Sequence, residues 1–265
     1  MSQSRSKILL SRRGLLSAGA AGVSSLVLAG CDSFDFLGEG ESKTRSVLEK
    51  ANDLTYRAQR LLIRNGALAT EYSETEIRQG QRPNGSTDPQ TAEYLALKSN
   101  SFADYRLSIT GLVERPRSYS LAELRNMPSR TQITRHDCVE GWSCIAKWTG
   151  TQLSRILDEA GVKPNARFVV FHCYDIYDES DPAAYYESCD LIDARHPQTI
   201  LAYGLNGQSL PVANGAPIRV RIERALGYKQ PKYVHTIELV GSFSRFGLGK
   251  GGYWEDRGYD WYAGI

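Results

Sequence analysis

The stretch with the most chemical potential is Arg135-His136-Asp137-Cys138-Val139-Glu140-Gly141-Trp142-Ser143. A thiol lies between a strand-like run and a tryptophan-bearing turn, flanked by titratable side chains, and a thiolate is a soft ligand suited to thiophilic metals. Spacing alone leaves several readings open. Cys138 could be a buried structural cysteine, part of a zinc or copper site with His136 and His172, or a nucleophile served by a histidine. The H-x-C pair does not choose among them.

The elements that must position this stretch are those of a mixed α/β chain. Residues 46–65 place Val47, Leu48, Ala51, Leu54, Ala58, Leu61 and Leu62 at helical spacing. Between Gly66 and Asn100, breakers at Gly80, Pro83, Asn84-Gly85 and Asp88-Pro89 predict a long ordered loop or arm. From Ser101 onward, Tyr105–Ile109 alternates as a half-buried strand, and Ser120-Leu121-Ala122-Glu123 is a capping box opening a short helix. Further strands are expected at Arg167–Tyr174, Ile200–Tyr203, Ile218–Ile222 and Val234–Val240, with helices at Thr151–Ala160 and near Cys189–Arg195. Asn206-Gly207 suits a tight hairpin turn. The division expected is a helix and arm over 46–100 and a catalytic domain over 101–265.

Cys138-Val139-Glu140-Gly141-Trp142-Ser143 resembles the molybdenum-ligand loop of the sulfite oxidase superfamily, in its periplasmic methionine-sulfoxide reductase branch. A second match runs from Asn214-Gly215-Ala216-Pro217-Ile218-Arg219-Val220 to Gly227-Tyr228-Lys229-Gln230-Pro231-Lys232-Tyr233, and the resemblance extends in order over about Ser101 to Val240. It implies an α+β, mixed-sheet, sulfite-oxidase-type molybdopterin-binding fold. It also implies a molybdenum-pyranopterin cofactor with Cys138 as the protein ligand to the metal. The second motif would hold the pterin and its phosphate: Arg219 offers a guanidinium fork, Lys229 and Lys232 positive charge, and Asn214 and Gln230 amides. Asn84-Gly85 and Tyr72-Ser73-Glu74 stand where relatives place an N-terminal pterin contact. Arg135, His136, His172, and Tyr185 or Tyr186 are the candidates for the substrate side.

Sulfite oxidases proper follow the ligand cysteine with Ala-Gly-Asn-Arg-Arg, and here Val-Glu-Gly-Trp-Ser stands instead. The leading expectation is therefore two-electron or oxygen-atom transfer on a small, sulfoxide-type substrate. Sulfite dehydrogenation is the second expectation, and a non-catalytic metal- or ligand-binding lipoprotein the third. The sequence has no C-x-x-C-H haem attachment, so electrons are expected to pass to a separate haem- or quinone-linked membrane partner. A phosphate loop is not expected in the glycine-rich segment Gly247–Arg257, which lacks a strand–loop–helix context and should pack against the domain as an aromatic tail.

The N-terminus reads as an address. Ser11-Arg12-Arg13-Gly14-Leu15-Leu16 precedes a charge-free apolar run to Gly30, the layout of a twin-arginine signal over 1–30. Leu28-Ala29-Gly30-Cys31 resembles a bacterial lipobox, with a polar tether over 31–45, so a monomer lipid-anchored at Cys31 on the periplasmic side is expected. Of 32 basic residues, Arg5, Lys7, Arg12 and Arg13 fall in this leader and no acidic ones do, which leaves 28 against 30, a net charge of −2. That balance gives no reason to expect a nucleic-acid partner. A twin-arginine substrate folds before export, so Cys144, Cys173 and Cys189 are expected to be mostly buried free thiols.

Overall fold

The computed structural model describes residues 43–78, 80–178 and 181–265. The twin-arginine signal, the lipobox and most of the tether lie outside the described residues. Asn52–Ile265 form one compact unit that contains both sheets and the whole candidate site.

The chain runs through helix α1 (Lys43–Leu62), α2 (Ala92–Ser99), strands β1 (Arg106–Gly111) and β2 (Arg117–Ser120), α3 (Leu121–Asn126), β3 (Ser129–Cys138) and β4 (Trp142–Gln152). It continues through α4 (Leu153–Ala160), β5 (Phe168–Asp178), β6 (Asp181–Asp190), α5 (Leu191–Ala194), β7 (Ile200–Leu205), β8 (Gln208–Ser209), β9 (Arg219–Arg221) and β10 (Val234–Val240). One five-stranded sheet has the order β2-β1-β10-β5-β6 and is mixed, since β1 and β10 are parallel and the other pairs antiparallel. The other has the order β3-β4-β7-β8, with β9 also pairing β7. The fold is therefore α+β with a mixed sheet.

Local chemistry accounts for the joints. Ser120 Oγ accepts from the Glu123 amide at 3.1 Å while the Glu123 carboxylate accepts from the Ser120 amide at 2.7 Å, a reciprocal cap that fixes where α3 begins. Such a cap contributes about 1 kcal/mol. Asn206 and Gly207, with φ of 50° and 80°, close the β7–β8 hairpin between Leu205 and Gln208. In α4, Leu153, Ile156, Leu157 and Ala160 make one fully buried stripe that packs into the main core. Each of its large side chains stabilises by about 1.5–3 kcal/mol, so Leu157→Ala would loosen the layer.

Besides β6, where no strand was expected, three features depart from the sequence expectations. The arm contains α2, whose Tyr94 and Leu97 are buried; with only eight residues it shows too few turns for periodicity to register. Thr151 and Gln152 end β4 rather than opening a helix. The β3–β4 hairpin is paired over its whole length, from Ser129↔Thr151 to Cys138↔Trp142, although its sequence is largely polar. That hairpin carries Cys138 out to its turn, and the arm runs along it, Tyr72 and Arg78 donating their amides to the Ile133 and Ile145 carbonyls.

Candidate active site

A cleft opens where the β3–β4 turn, the ends of β5 and β6, the 227–232 loop, the arm and the C-terminal tail converge. Cys138, Val139 and Glu140 come from the turn, Asp175, Tyr177 and Tyr185 from β5 and β6, and Asn84, Gly85 and Ser86 from the arm. Gly227, Tyr228, Gln230 and Lys232 follow from the loop, with Trp254 and Tyr259 from the tail. Cys138 is half-buried and its thiol is unpaired. Burial pushes its pKa up, partly countered by backbone amides at Glu140 and Val139.

Behind the cleft, β9 sets two guanidinium groups over the fully buried Trp148 ring, Arg219 at 5.2 Å and Arg221 at 4.4 Å. Their charges are treated differently. Arg221 makes two bonds to Glu223, at 3.0 and 2.6 Å, and donates to His136 Nδ1 at 2.7 Å. This leaves His136 neutral and fully buried, its pKa driven down first by burial and then by the Arg221 and Arg219 charges. Arg219 is 1% exposed and, among the described residues, makes no ion pair, although the Glu223 carboxylate held by Arg221 acts on it at a distance. It donates to the Asn214 and Gln230 carbonyls at 3.1 and 3.2 Å and to Asn84 Oδ1 at 3.4 Å, while its Nε has no partner. Burial, with Arg221 nearby, lowers its pKa to about 9.

Lys232 adds a second cation, with the Asp175 carboxylate acting on it across the same cleft. Its ammonium donates to the Ser86 and Ala213 carbonyls, and burial and Arg219 push its pKa down to about 7. Asp175, held by Ser86 Oγ at 2.5 Å, is pushed up by burial to about 6. Gln230 spans the loop, donating to the Ala225 carbonyl at 2.9 Å. Close approach of this loop to β3 requires Gly227, since a Cβ there would lie 2.7 Å from His136 Nε2.

The remaining candidates are placed as follows. Tyr185 lines the cleft and donates to the Tyr228 carbonyl at 2.9 Å. Tyr186, the next residue of β6, projects to the opposite face, where its hydroxyl donates to Asp256 at 2.6 Å. His172 pairs with Tyr186 across the sheet and lies 3.0 Å from Glu238, outside the cleft lining. Arg135 is exposed and turns to Asp137 at 2.9 Å. Lys229 is buried between Glu187 and Glu255, which neutralise it. Asn214 is buried and donates to the Gln81 carbonyl at 3.4 Å. Asn84 and Gly85 reach the cleft, while Tyr72, Ser73 and Glu74 do not line it. Tyr177, Trp254 and Tyr259 were not anticipated as site residues; the only sequence signal was the aromatic content of the tail and of the end of β5. Among the described residues no group of three or more His, Cys, Asp or Glu could hold a metal ion, and the four described cysteines are free thiols.

The arrangement fits a molybdenum-pterin cofactor. A lone thiol, a soft donor, lines the cleft, and behind it is a buried guanidinium with an unsatisfied N–H and no ion-pair partner among the described residues, an environment that suits a phosphate.

Comparison with known proteins agrees. The family model for the oxidoreductase molybdopterin binding domain matches residues 94–245. The chain is 41% identical over 162 residues to an Azospira oryzae protein named "Putative protein-methionine-sulfoxide reductase subunit YedZ1", covering 61% of this chain and 56% of that one. It is 34% identical over 146 residues to a protein-methionine-sulfoxide reductase catalytic subunit of Ralstonia nicotianae, covering 51% and 44% of the two chains. Among solved structures, the sulfane dehydrogenase SoxCD from Paracoccus pantotrophus matches with a TM-score of 0.47 and 25% identity over 53% of this chain and 39% of that one. The chain spans about half the length of the curated relatives it matches. With the family match running over one continuous span of more than half its length, the chain belongs to the molybdopterin-binding oxidoreductases of the sulfite oxidase superfamily, enzymes whose cofactor is molybdenum-molybdopterin.

Proposed function

We propose that this chain is an exported enzyme that reduces a sulfoxide to the corresponding thioether and water, consuming two electrons and two protons. The observation that carries this reading is the make-up of the cleft: Tyr177, Tyr185, Tyr228, Trp254 and Tyr259 line it with Cys138, and two carboxylates, Glu140 and Asp175, stand among them. No arginine among the described residues lines it, the guanidinium of Arg82 outside being drawn to Glu140 at 3.7 Å. A sulfite dianion calls for guanidinium groups at the reacting face, whereas a neutral sulfoxide bearing an apolar substituent suits aromatic walls. Relatives named as protein-methionine-sulfoxide reductases are consistent with that substrate class.

When bound, the cofactor supplies a metal able to accept an oxygen atom and exchange two electrons. Cys138 would ligate the metal through its thiolate, and Arg219 and Lys232 would meet the cofactor's anionic end, with Asn214, Asn84 and Gln230 shaping the cradle. Tyr185 offers the substrate face a hydroxyl held in place by the Tyr228 carbonyl, and the aromatic walls exclude water. Export by the twin-arginine route, periplasmic location, a lipid on Cys31 and a separate haem- or quinone-linked membrane donor complete the reading, supported by the N-terminal motifs and by relatives named as subunits.

The test is turnover of the molybdenum-loaded protein with reduced viologen and a methionine sulfoxide peptide, set against sulfite with an artificial electron acceptor. Sulfoxide-dependent viologen oxidation is the expected result. Sulfite oxidation without sulfoxide reduction would overturn the reading.

A further inference from the structure

Helix α1 has two unlike faces. Tyr56 and Arg60 point into the body of Asn52–Ile265, where Tyr56 donates to Asp190 at 2.8 Å and Arg60 to Asp190 and Asp193 at 2.9 and 2.6 Å. The Arg60 guanidinium also lies 5.2 Å from the Tyr56 and Tyr262 rings, so this face is firmly seated. The other face carries Leu54, 68% exposed, and Leu61, 85% exposed, seven residues apart on one stripe. Leu62, the last residue of the helix, is 80% exposed and adds to this surface. Three large aliphatic side chains exposed on one short helical segment is unusual for a surface in water.

The charges beside this stripe are basic. Arg57 and Arg64 are exposed next to Leu54 and Leu61, and the one acidic neighbour, Asp53, pairs with Arg57 at 2.8 Å. Exposed leucines interleaved with arginines on a helix whose opposite face is docked make the pattern of a segment lying in a membrane interface, leucines among acyl chains and guanidinium groups at phosphates. Among the described residues no helix is long and apolar enough to cross a membrane, so the contact would be parallel to the surface. Chain length agrees: Cys31 precedes Leu54 by 23 residues, so a lipid at Cys31 would hold the helix close to the bilayer.

We propose that Leu54, Arg57, Leu61, Leu62 and Arg64 form a docking surface for an anionic phospholipid bilayer, which orients the enzyme on the membrane independently of any lipid anchor. This does not rest on the substrate reading. It meets the export reading only in placing the same part of the chain at a membrane.

The test uses the full-length protein carrying Cys31→Ser, which cannot be lipidated, with vesicles of phosphatidylethanolamine and phosphatidylglycerol. Amide hydrogen exchange over residues 53–68 is expected to slow several-fold on adding vesicles at low salt, and the protection should diminish at high salt. Leu54→Ser/Leu61→Ser should weaken vesicle partitioning roughly tenfold or more, since two interfacial leucines are lost. Both positions are exposed, so the melting temperature should not move, which separates lost docking from lost folding. Unchanged exchange over 53–68 while the protein still sediments with vesicles would place the contact elsewhere and overturn the proposal, as would protection that survives the double substitution. Mass spectrometry of exported wild-type protein tests the Cys31 lipid separately, so either idea can fail alone.

Discussion

Replacement of Arg219 by alanine separates a cofactor-binding arginine from a structural one. The side chain is 1% exposed and meets only neutral oxygens, and its pKa falls to about 9 chiefly through burial. At about 1.4 kcal/mol per tenfold, that makes its charged form on the order of 4–5 kcal/mol harder to hold than in water. A phosphate seated against the guanidinium would relieve much of this, so Arg219→Ala should weaken cofactor binding by about 3–5 kcal/mol, hundreds- to thousands-fold in affinity. The cofactor-free fold should change little, because lifting an uncompensated buried charge offsets the lost bonds to the Asn214 and Gln230 carbonyls. Arg221→Ala is the contrast. It strands Glu223, fully buried, and should destabilise the fold itself by about 3–5 kcal/mol. The assay is molybdenum and pterin content per folded chain, with thermal unfolding of the cofactor-free forms. Wild-type occupancy in Arg219→Ala, or an unfolding penalty equal to that of Arg221→Ala, would refute the assignment.

Cys138→Ser should abolish turnover and lower molybdenum retention with the melting temperature nearly unchanged, because a hydroxyl is a harder and poorer ligand than a thiolate; full activity would remove Cys138 from the metal. Lys229→Met should destabilise the protein by about 3–5 kcal/mol, since Glu187 and Glu255 would face each other without their shared cation, and a variant that melts normally but lacks pterin would instead return Lys229 to the cofactor. His235 has its pKa pushed down to about 4, first by burial and then by the His172 charge. A lowered folded pKa means its contribution to stability is complete above the ordinary histidine value and is lost as pH falls toward 4, so His235→Gln should flatten the melting temperature between about pH 6.5 and 4. Arg12→Lys/Arg13→Lys should block export, read as loss of periplasmic protein on fractionation, because the pathway recognises guanidinium groups rather than charge.

Elements specified by short-range chemistry could be read from the sequence. The Ser120–Glu123 cap and the Asn206-Gly207 turn each need only neighbouring residues, and both stand where the spacing placed them. Elements whose pattern depends on what covers them could not. In β6, Tyr185 and Tyr186 are adjacent aromatics, which breaks the alternation that marks a strand, because one side of the sheet is walled by the 227–232 loop and the other by the tail. The polar β3–β4 hairpin escaped for a related reason. Arg130 and Gln132, which suggest a solvated loop, reach into bonds with Glu71, Gln198 and Glu223 supplied from distant parts of the chain.

The candidate site divides along the same line. Cys138 and Arg219 each lie in a contiguous motif, and the fold sets one at the cleft and the other behind it because β3 ends at the cleft's mouth while β9, in the same sheet, passes behind. Charge state was illegible at every basic position. Arg219 and Arg221 are two residues apart, equally buried and stacked on one tryptophan, yet only Arg221 has a carboxylate, because Glu223 bends back along the chain to meet it. Lys229 and Lys232 differ by degree: Lys229 is neutralised by glutamates 42 and 26 residues away, whereas Lys232 hydrogen-bonds to carbonyls and has Asp175 as a nearby carboxylate without a direct ion pair. A guanidinium or ammonium becomes a phosphate site only when the protein withholds its own anion. That withholding is a tertiary property, and it is the reason Arg219, rather than Arg221 or Lys229, is the cation proposed for the cofactor phosphate.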